Sequence, residues 1–318
     1  MSTVMNDSPT RHHDIGGHDG YNGHKGPHNP HSPPEERPRW MRNLPLRHRF
    51  QSPPTGADAL PPEKPDGTLR LLTLNMAHGR RKLSNFAFRG RRSVERSVAG
   101  IAHTFRQVLP DVVALQEADG PSAWSGNFDH VAKLAHLAEL EDHYRGDHNP
   151  FGVGQKLNLA SGTALLARYA LEEPKSHSFG SNWRDTKGFV VATVAVPEWN
   201  GAEIDVVSVH LDFLVPTVRR RQIIDMVMSL VGRQRPMAIL GDLNCCWERE
   251  SKSMELLLRT LDLRAHEPDS LAPTYPSYRP RRRIDWILIS KELEFAAHHT
   301  LPLRLSDHLG VVADLRLR

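Results

Sequence analysis

The sequence predicts an α/β domain in which β-sheet packs on β-sheet and helices cover the outer faces, behind a disordered N-terminal tail. Three observations lead there. Strand-like apolar runs outnumber helical patterns, and the helices interrupt them irregularly, which argues against a simple doubly wound sheet. Half of the prolines, 12 of 24, and 7 of the 19 histidines fall within the first 66 of 318 residues, so the composition changes abruptly near Gly67. Nearly every strand-like run also ends in an acidic, amide or imidazole group.

Residues 1–66 are rich in Pro, Gly, His and Arg and poor in aliphatics. Such a segment cannot bury enough apolar surface to offset its ordering entropy, so it reads as disordered tail and linker. Its acidic and basic residues balance, and the net charge of +4 therefore belongs to the domain at 67–318. Tail histidines can capture transition metals, although a solvated tail is the simpler reading. Between 37 and 50, arginines alternate with Trp40, Met41, Leu44, Leu46 and Phe50. That pattern suits peripheral contact with an anionic membrane, while Pro38 and Pro45 interrupt any long amphipathic helix.

The domain opens with Leu69 to Asn75, a buried strand. Val94, Val98, Ile101, Phe105 and Val108 then recur at 4,3,4,3 spacing, one face of a helix that Pro110 ends. Asp111 to Gln116 is the next strand, and Asp129 to Leu140 a second helix. Four further strands are expected at 162–167, 188–196, 203–210 and 237–241, with a helix at 217–231 before the last. Runs at 284–289 and 310–317 complete the set. About 250 ordinary globular residues suffice for one large core.

Several classes are excluded. No apolar run approaches the roughly 18 residues of a membrane span. The first residues show no apolar signal region, and the cytoplasm is the expected compartment. The two cysteines, Cys245 and Cys246, are adjacent, so the chain is no disulfide scaffold and has no tetrahedral zinc spacing.

A strand end is a rigid place to present a functional group. Asn75 closes the first strand, Gln116-Glu117 the second and His210 the run VVSVH. Asp242 and Asn244 follow MAILG. Asp285 opens IDWIL, and Asp307-His308 precede the last strand. Any one of these is more often a turn or cap residue. In order, LNM, LQE, GTALLAR, VHLD, GDLN, RIDWIL and SDH resemble the endonuclease/exonuclease/phosphatase superfamily, the deoxyribonuclease I-like fold, across the whole of 69–318.

The resemblance implies a four-layer α/β/β/α sandwich and hydrolysis of phosphoester bonds with Mg²⁺ or Mn²⁺. It implies Glu117 as principal metal ligand, assisted by Asn75, with Asp307 beside the metal shell. Asp242 matches the residue that orients or deprotonates the attacking water, and Asn244 the donor to the phosphate. Asp285 and His308 match an orienting pair, and His210 a position that bonds a phosphate oxygen. The resemblance also suggests a monomer with no obligate protein partner.

Substrate is less determined. Arg80 and Arg81 with their neighbours, Arg219-Arg220-Arg221, and Arg279 with Arg281-Arg282-Arg283 form three basic clusters that can meet DNA or RNA, a phosphorylated headgroup or a membrane surface. From these, Arg80, Arg81 and Arg219 are the expected substrate contacts. Repair-type abasic endonucleases of the superfamily carry Tyr-Val-Pro-Asn where this chain has Val209-His210-Leu211-Asp212. The expected activity is therefore a phosphodiesterase or phosphatase on a small or lipid-linked phosphate. A nuclease is the alternative, and an inactive phosphate-binding scaffold a second one, disfavoured by the intact polar set.

Overall fold

A strand buried on both faces shows no polar side, and β1 (Leu69–Asn75) is such a strand: every one of its residues is buried. Leu69 and Leu71 point one way, into a core shared with Val190, Ala192, Ile204 and Val206. Leu72 and Leu74 point the other way, against Val94, Val98, Ile101 and Phe105. The period of two along a strand produces this division.

The computed structural model describes residues 60–79, 90–122, 125–146, 148, 161–180, 187–270 and 272–318, all in one compact unit. The expected disorder of the tail, its histidines, the 37–50 stretch and the cluster at Arg80 and Arg81 lie outside the described residues. Residues 60–66, read from sequence as linker, lie against the domain. Leu60 joins the outer core, and Lys64 Nζ pairs with Asp111 at 2.9 Å and Glu198 at 3.1 Å.

Two six-stranded sheets form the middle of the molecule. The first runs β11 (Leu293–Thr300), β12 (Val311–Leu317), β1, β2 (Val112–Asp119), β4 (Ser161–Ala167), β3 (Asp142–Arg145). The second runs β5 (Glu172–Ser178), β6 (Gly188–Val196), β7 (Ala202–His210), β8 (Met237–Asp242), β10 (Asp285–Ser290), β9 (Leu263–Ala265). Helices α1 (Arg91–Val108) and α2 (His130–Ala138) cover the first sheet through Phe105, Val131 and Leu134. Helices α3 (Pro216–Leu230) and α4 (Trp247–Thr260) cover the second through Ile223, Met226, Met254 and Leu257. This is the expected α/β/β/α sandwich. The expected elements all form, while β3, β5, β9, β11 and α4 were not read from the sequence.

Strand direction gathers the polar ends. β1 and β2 are parallel with Asn75 opposite Gln116, and β7 and β8 are parallel with His210 opposite Asp242. β10 is antiparallel to β8, which sets Asp285 opposite Asp242. β12 is antiparallel to β1 and begins opposite Thr73, so the turn before it emerges at the same edge. That β7 and β8 run so close depends on Gly241. A Cβ there would meet the Val209 carbonyl oxygen at 2.0 Å, and its φ of 151° is one side chains rarely adopt.

Candidate active site

The carboxyl edge of the two sheets opens into a cleft of about 190 Å³ lined by Glu117, Lys187, His210, Asp242, Tyr275 and His308, with Phe213, Asn244, Arg282, Ile284 and Asp307 completing the wall. Residues separated by nearly two hundred positions in sequence thus share one cavity.

Asp242 is buried in its lining. Its Oδ2 accepts from Asn75 Nδ2 at 3.0 Å, and its Oδ1 accepts from the Asn244 backbone N–H at 3.0 Å. His210 Nε2 lies 3.5 Å and His308 Nε2 3.7 Å from Oδ2. Burial, reinforced by the like charge of Asp285, pushes the Asp242 carboxyl up to about 6 against the pull of His308, Lys187 and Asn75.

His308 Nδ1 lies 3.0 Å from Asp285 Oδ2, which also accepts from Thr274 Oγ1 at 2.5 Å. Burial works to neutralise this ring, but Asp285 and Asp242 hold its proton and lift it to about 10. The ring therefore carries its charge at neutral pH. Ser306 fastens the whole turn to β1: its hydroxyl donates to the Asn75 carbonyl at 2.5 Å and accepts from the His308 N–H at 2.9 Å. Tyr275 packs beside the imidazole with ring centroids 4.7 Å apart.

His210 differs from His308. Burial, with Lys187 and His308 adding positive charge, holds it well below the ordinary histidine range, so its ring is neutral. Lys187 Nζ, at the start of β6, donates to His210 Nε2 at 2.5 Å.

Glu117 enters from a bulge. The β2–β4 register shifts between Leu115 and Ala118, and Glu117 takes a left-handed φ of 49°. A bulge re-aims the side chain it carries. Burial opposes the charge of Glu117, yet His78, Lys187 and His308 together with a hydrogen bond from Asn75 keep the carboxyl below its usual range. His78 bridges outward, with Nε2 3.2 Å from Glu117 Oε2 and Nδ1 2.8 Å from the buried Asp119. Asp307 behaves oppositely: burial, and Glu117 as a like charge, raise it against His308. Its Oδ1 is buried without a hydrogen-bond partner. An orphaned carboxylate oxygen sharing a cleft with a second carboxylate fits a divalent cation, which takes oxygen ligands. Asp242, Asp285 and His308 also offer ligand atoms within 4.8 Å of one another, but hydrogen bonds already occupy that group.

Of the residues expected from sequence, Glu117, His210, Asp242, Asn244, Asp307 and His308 line the cleft, and Asn75 and Asp285 stand directly behind it. Three of the expected residues have particular partners. Asn75 turns its oxygen to the Ala77 N–H at 3.0 Å and gives its NH₂ to Asp242 at 3.0 Å. Asn244 spends side-chain donation on the Leu211 carbonyl at 3.0 Å. Arg219 is buried and donates to the Asp212 carbonyl at 2.6 Å, away from the cleft lining, because a guanidinium with a backbone acceptor at hand orders a loop instead of meeting substrate. Tyr275, Thr274 and Phe213 were not singled out. They come from loops without periodicity, and only Lys187, directly before a strand paired with His210, left a signal in the sequence.

Comparison with protein families matches residues 72–308 to the endonuclease/exonuclease/phosphatase family, well over half of the chain, and the protein belongs to that family. Its named activities are all hydrolyses of phosphoester bonds. Among solved structures, the chain is similar to an endonuclease/exonuclease/phosphatase from Beutenbergia cavernae, with 21% identity and a TM-score of 0.64 over 79% of this chain and 72% of that one. It is similar to a mannosyl-6-phosphatase from Bacteroides thetaiotaomicron, with 13% identity and a TM-score of 0.61 over 78% and 99%. The catalytic domain of human Nocturnin follows with 20% identity and a TM-score of 0.58 over 79% and 94%. Identities this low speak for a shared fold. Comparison with curated proteins finds no match.

Proposed function

We propose that the protein is a divalent-metal-dependent hydrolase of phosphoester bonds, acting on a small or lipid-linked phosphate. The single observation that carries the reading is Asp242, buried, raised to about 6 and held between a neutral and a charged imidazole on the wall of the cleft.

Asp242 is the base that orients the attacking water and takes its proton. The donors on its two oxygens, Asn75 and the Asn244 N–H, fix the carboxylate in one orientation, so little reorganisation is needed when the water reacts. His308, its proton held by Asp285, supplies positive charge to the phosphate and a proton to the leaving oxygen. Thr274 fixes Asp285 in turn. His210 and Lys187 form the wall that a phosphate oxygen would meet. Glu117 and Asp307 would hold the cation, which when bound contributes charge neutralisation and a more acidic water. The unpaired Asp307 oxygen and the opposed carboxylates support that assignment.

A nuclease is the second reading. Exposed Arg279, Arg281 and Arg282 stand on the loop that contributes Tyr275 to the cleft, and such a cluster suits a polyanion. One panel separates the readings: plasmid DNA, RNA, bis-p-nitrophenyl phosphate, phosphoinositides and sphingomyelin, with Mg²⁺, Mn²⁺ or EDTA. Metal-dependent turnover of the small or lipid esters with little salt dependence is expected. Turnover of DNA or RNA that falls steeply with salt would favour the nuclease, and silence on every substrate would sink both.

A further inference from the structure

Among the described residues, seven of the ten large apolar side chains that are exposed fall between 213 and 231: Phe213, Leu214, Val215, Val218, Ile224, Met228 and Val231. Leu214 is 69% and Met228 71% exposed, values at which an isolated apolar side chain gains nothing from the fold. Ile224, Met228 and Val231 are spaced four and three apart and share one side of α3, opposite the buried Ile223, Met226, Val227 and Leu230. The outer side of this helix thus carries an apolar stripe as well as charges. Exposed apolar residues clustered within one segment, unlike singly scattered ones, mark a surface that meets something.

The exposure is held in place. Asp212 accepts from the backbone N–H groups of Leu214 at 2.9 Å and Val215 at 2.6 Å. Its own N–H donates to Gln222 at 2.7 Å, and Arg219 clamps its carbonyl. A buried arginine and a buried glutamine are thus committed to a loop that pushes three apolar side chains outward. Pro216, at the first helical position, starts α3 directly from that loop.

Position and charge indicate the occupant. Phe213 lines the catalytic cleft, with Lys187 Nζ 5.8 Å from its ring centroid, so the patch begins at the mouth of the active site. Arg220 and Arg221 are exposed on α3 beside the stripe, against the single acid Asp225. Across the cleft wall the loop carrying Tyr275 exposes Tyr278, Arg279, Arg281 and Arg282. Apolar groups bordered by arginines suit the boundary between acyl chains and anionic headgroups. No helix among the described residues is long and apolar enough to cross a membrane, so contact would be peripheral.

We propose that the 213–218 loop and the outer side of α3 dock on an anionic phospholipid surface, bringing the cleft mouth to a lipid-linked phosphoester. The choice of substrate source rests on the phosphoester reading above; the docking itself does not require turnover.

The test is sedimentation of the full chain, in EDTA, with phosphatidylcholine vesicles with and without phosphatidylglycerol. Binding to the anionic vesicles alone is expected, weakening as salt rises. The Ile224→Ser, Met228→Ser double variant should lose about tenfold in vesicle affinity. With Mg²⁺, the same variant should hydrolyse soluble bis-p-nitrophenyl phosphate as the parent does. Arg220→Glu with Arg221→Glu should also abolish sedimentation. No binding by the parent, or equal binding to neutral vesicles, would overturn the proposal. So would a double variant that sediments like the parent, as contact through the chain before residue 60 would produce. A dimer in sedimentation velocity that Met228→Ser dissociates, without vesicle binding, would assign the face to a second copy instead. Vesicle binding without hydrolysis of any ester would leave docking intact and remove only the phosphoester reading.

Discussion

The two halves of the cleft are built on different principles. Around Asp242, Asp285 and His308, every carboxylate oxygen has a partner: Asn75, the Asn244 N–H, Thr274 or the imidazole. Around Glu117 and Asp307, an oxygen is buried without one, and the two carboxylates repel. A buried acid with its hydrogen bonds satisfied is preorganised and stays in place through a reaction. A buried acid left short is stable only when something else supplies the charge. On the proposed reading, the first half handles protons and the second holds the cation.

Mutations that separate the halves test this contrast. The largest effect is expected at Asp242→Asn, with kcat on the best substrate of the panel falling about a thousandfold while cation affinity by calorimetry changes little. Glu117→Gln should do the reverse in binding, weakening the cation at least about tenfold. If Asp242→Asn weakened the cation as much as Glu117→Gln does, the two halves would be one. Thr274→Val removes the hydroxyl that donates to the Asp285 carboxylate and accepts from the Asp285 N–H, and should lower kcat by about ten- to thirtyfold, since each such bond is worth about 1 kcal/mol. An unchanged rate would show that Asp285 orients His308 without help.

The smallest expected effect is a displaced pH profile. Asp242 must be ionised to act as base, and its folded value is raised to about 6. Activity should therefore rise as pH increases through about 6 and be lost below it. Asn75 donates to the charged form and holds that value down, so Asn75→Ala should move the acidic limb upward. An unmoved limb would mean that Asn75 acts on Glu117 alone.

Inner and outer strands differ in how readable they are. β1, β2, β4, β6, β7, β8, β10 and β12 lie inside their sheets or carry apolar residues on both faces, and their runs announce them. The four strands missed from sequence, β3, β5, β9 and β11, are the four edges of the two sheets. An edge strand needs less apolar surface: β5 reads EEPKSHS and is largely exposed or half-buried. β11 has a register shift between Phe295 and Ala297 that breaks its alternation. Helix α4 escaped because, among its described side chains, only Met254 and Leu257 reach the core as fully buried residues.

The site divides in the same way. Asn75, His210, Asp242 and Asp285 end or open strands, and Glu117 and His308 lie within three residues of a strand end, which is legible wherever the strand is. Their roles were less so. Nothing in LNM says which way the Asn75 amide faces; the Ala77 N–H decides it by claiming the oxygen. Nothing in VRRR separates Arg219 from Arg220 and Arg221; the helical turn buries one and exposes the others. Tyr275 reaches the cleft, and Thr274 reaches Asp285 behind it, where Leu309 N–H bonds the Thr274 carbonyl at 2.9 Å and Ser277 N–H the Asp307 carbonyl at 2.6 Å, long-range contacts that no local pattern encodes.

The sequence by itself determined the sheet-on-sheet packing, the positions of the central strands along the chain and the chemical types near their ends, because burial on both faces and a period of two are written locally. Tertiary structure alone decided which oxygen of which carboxylate has a partner, which arginine meets solvent and which side of α3 is left uncovered. Those depend on distances between segments up to two hundred residues apart, and such distances exist only once the two sheets have packed.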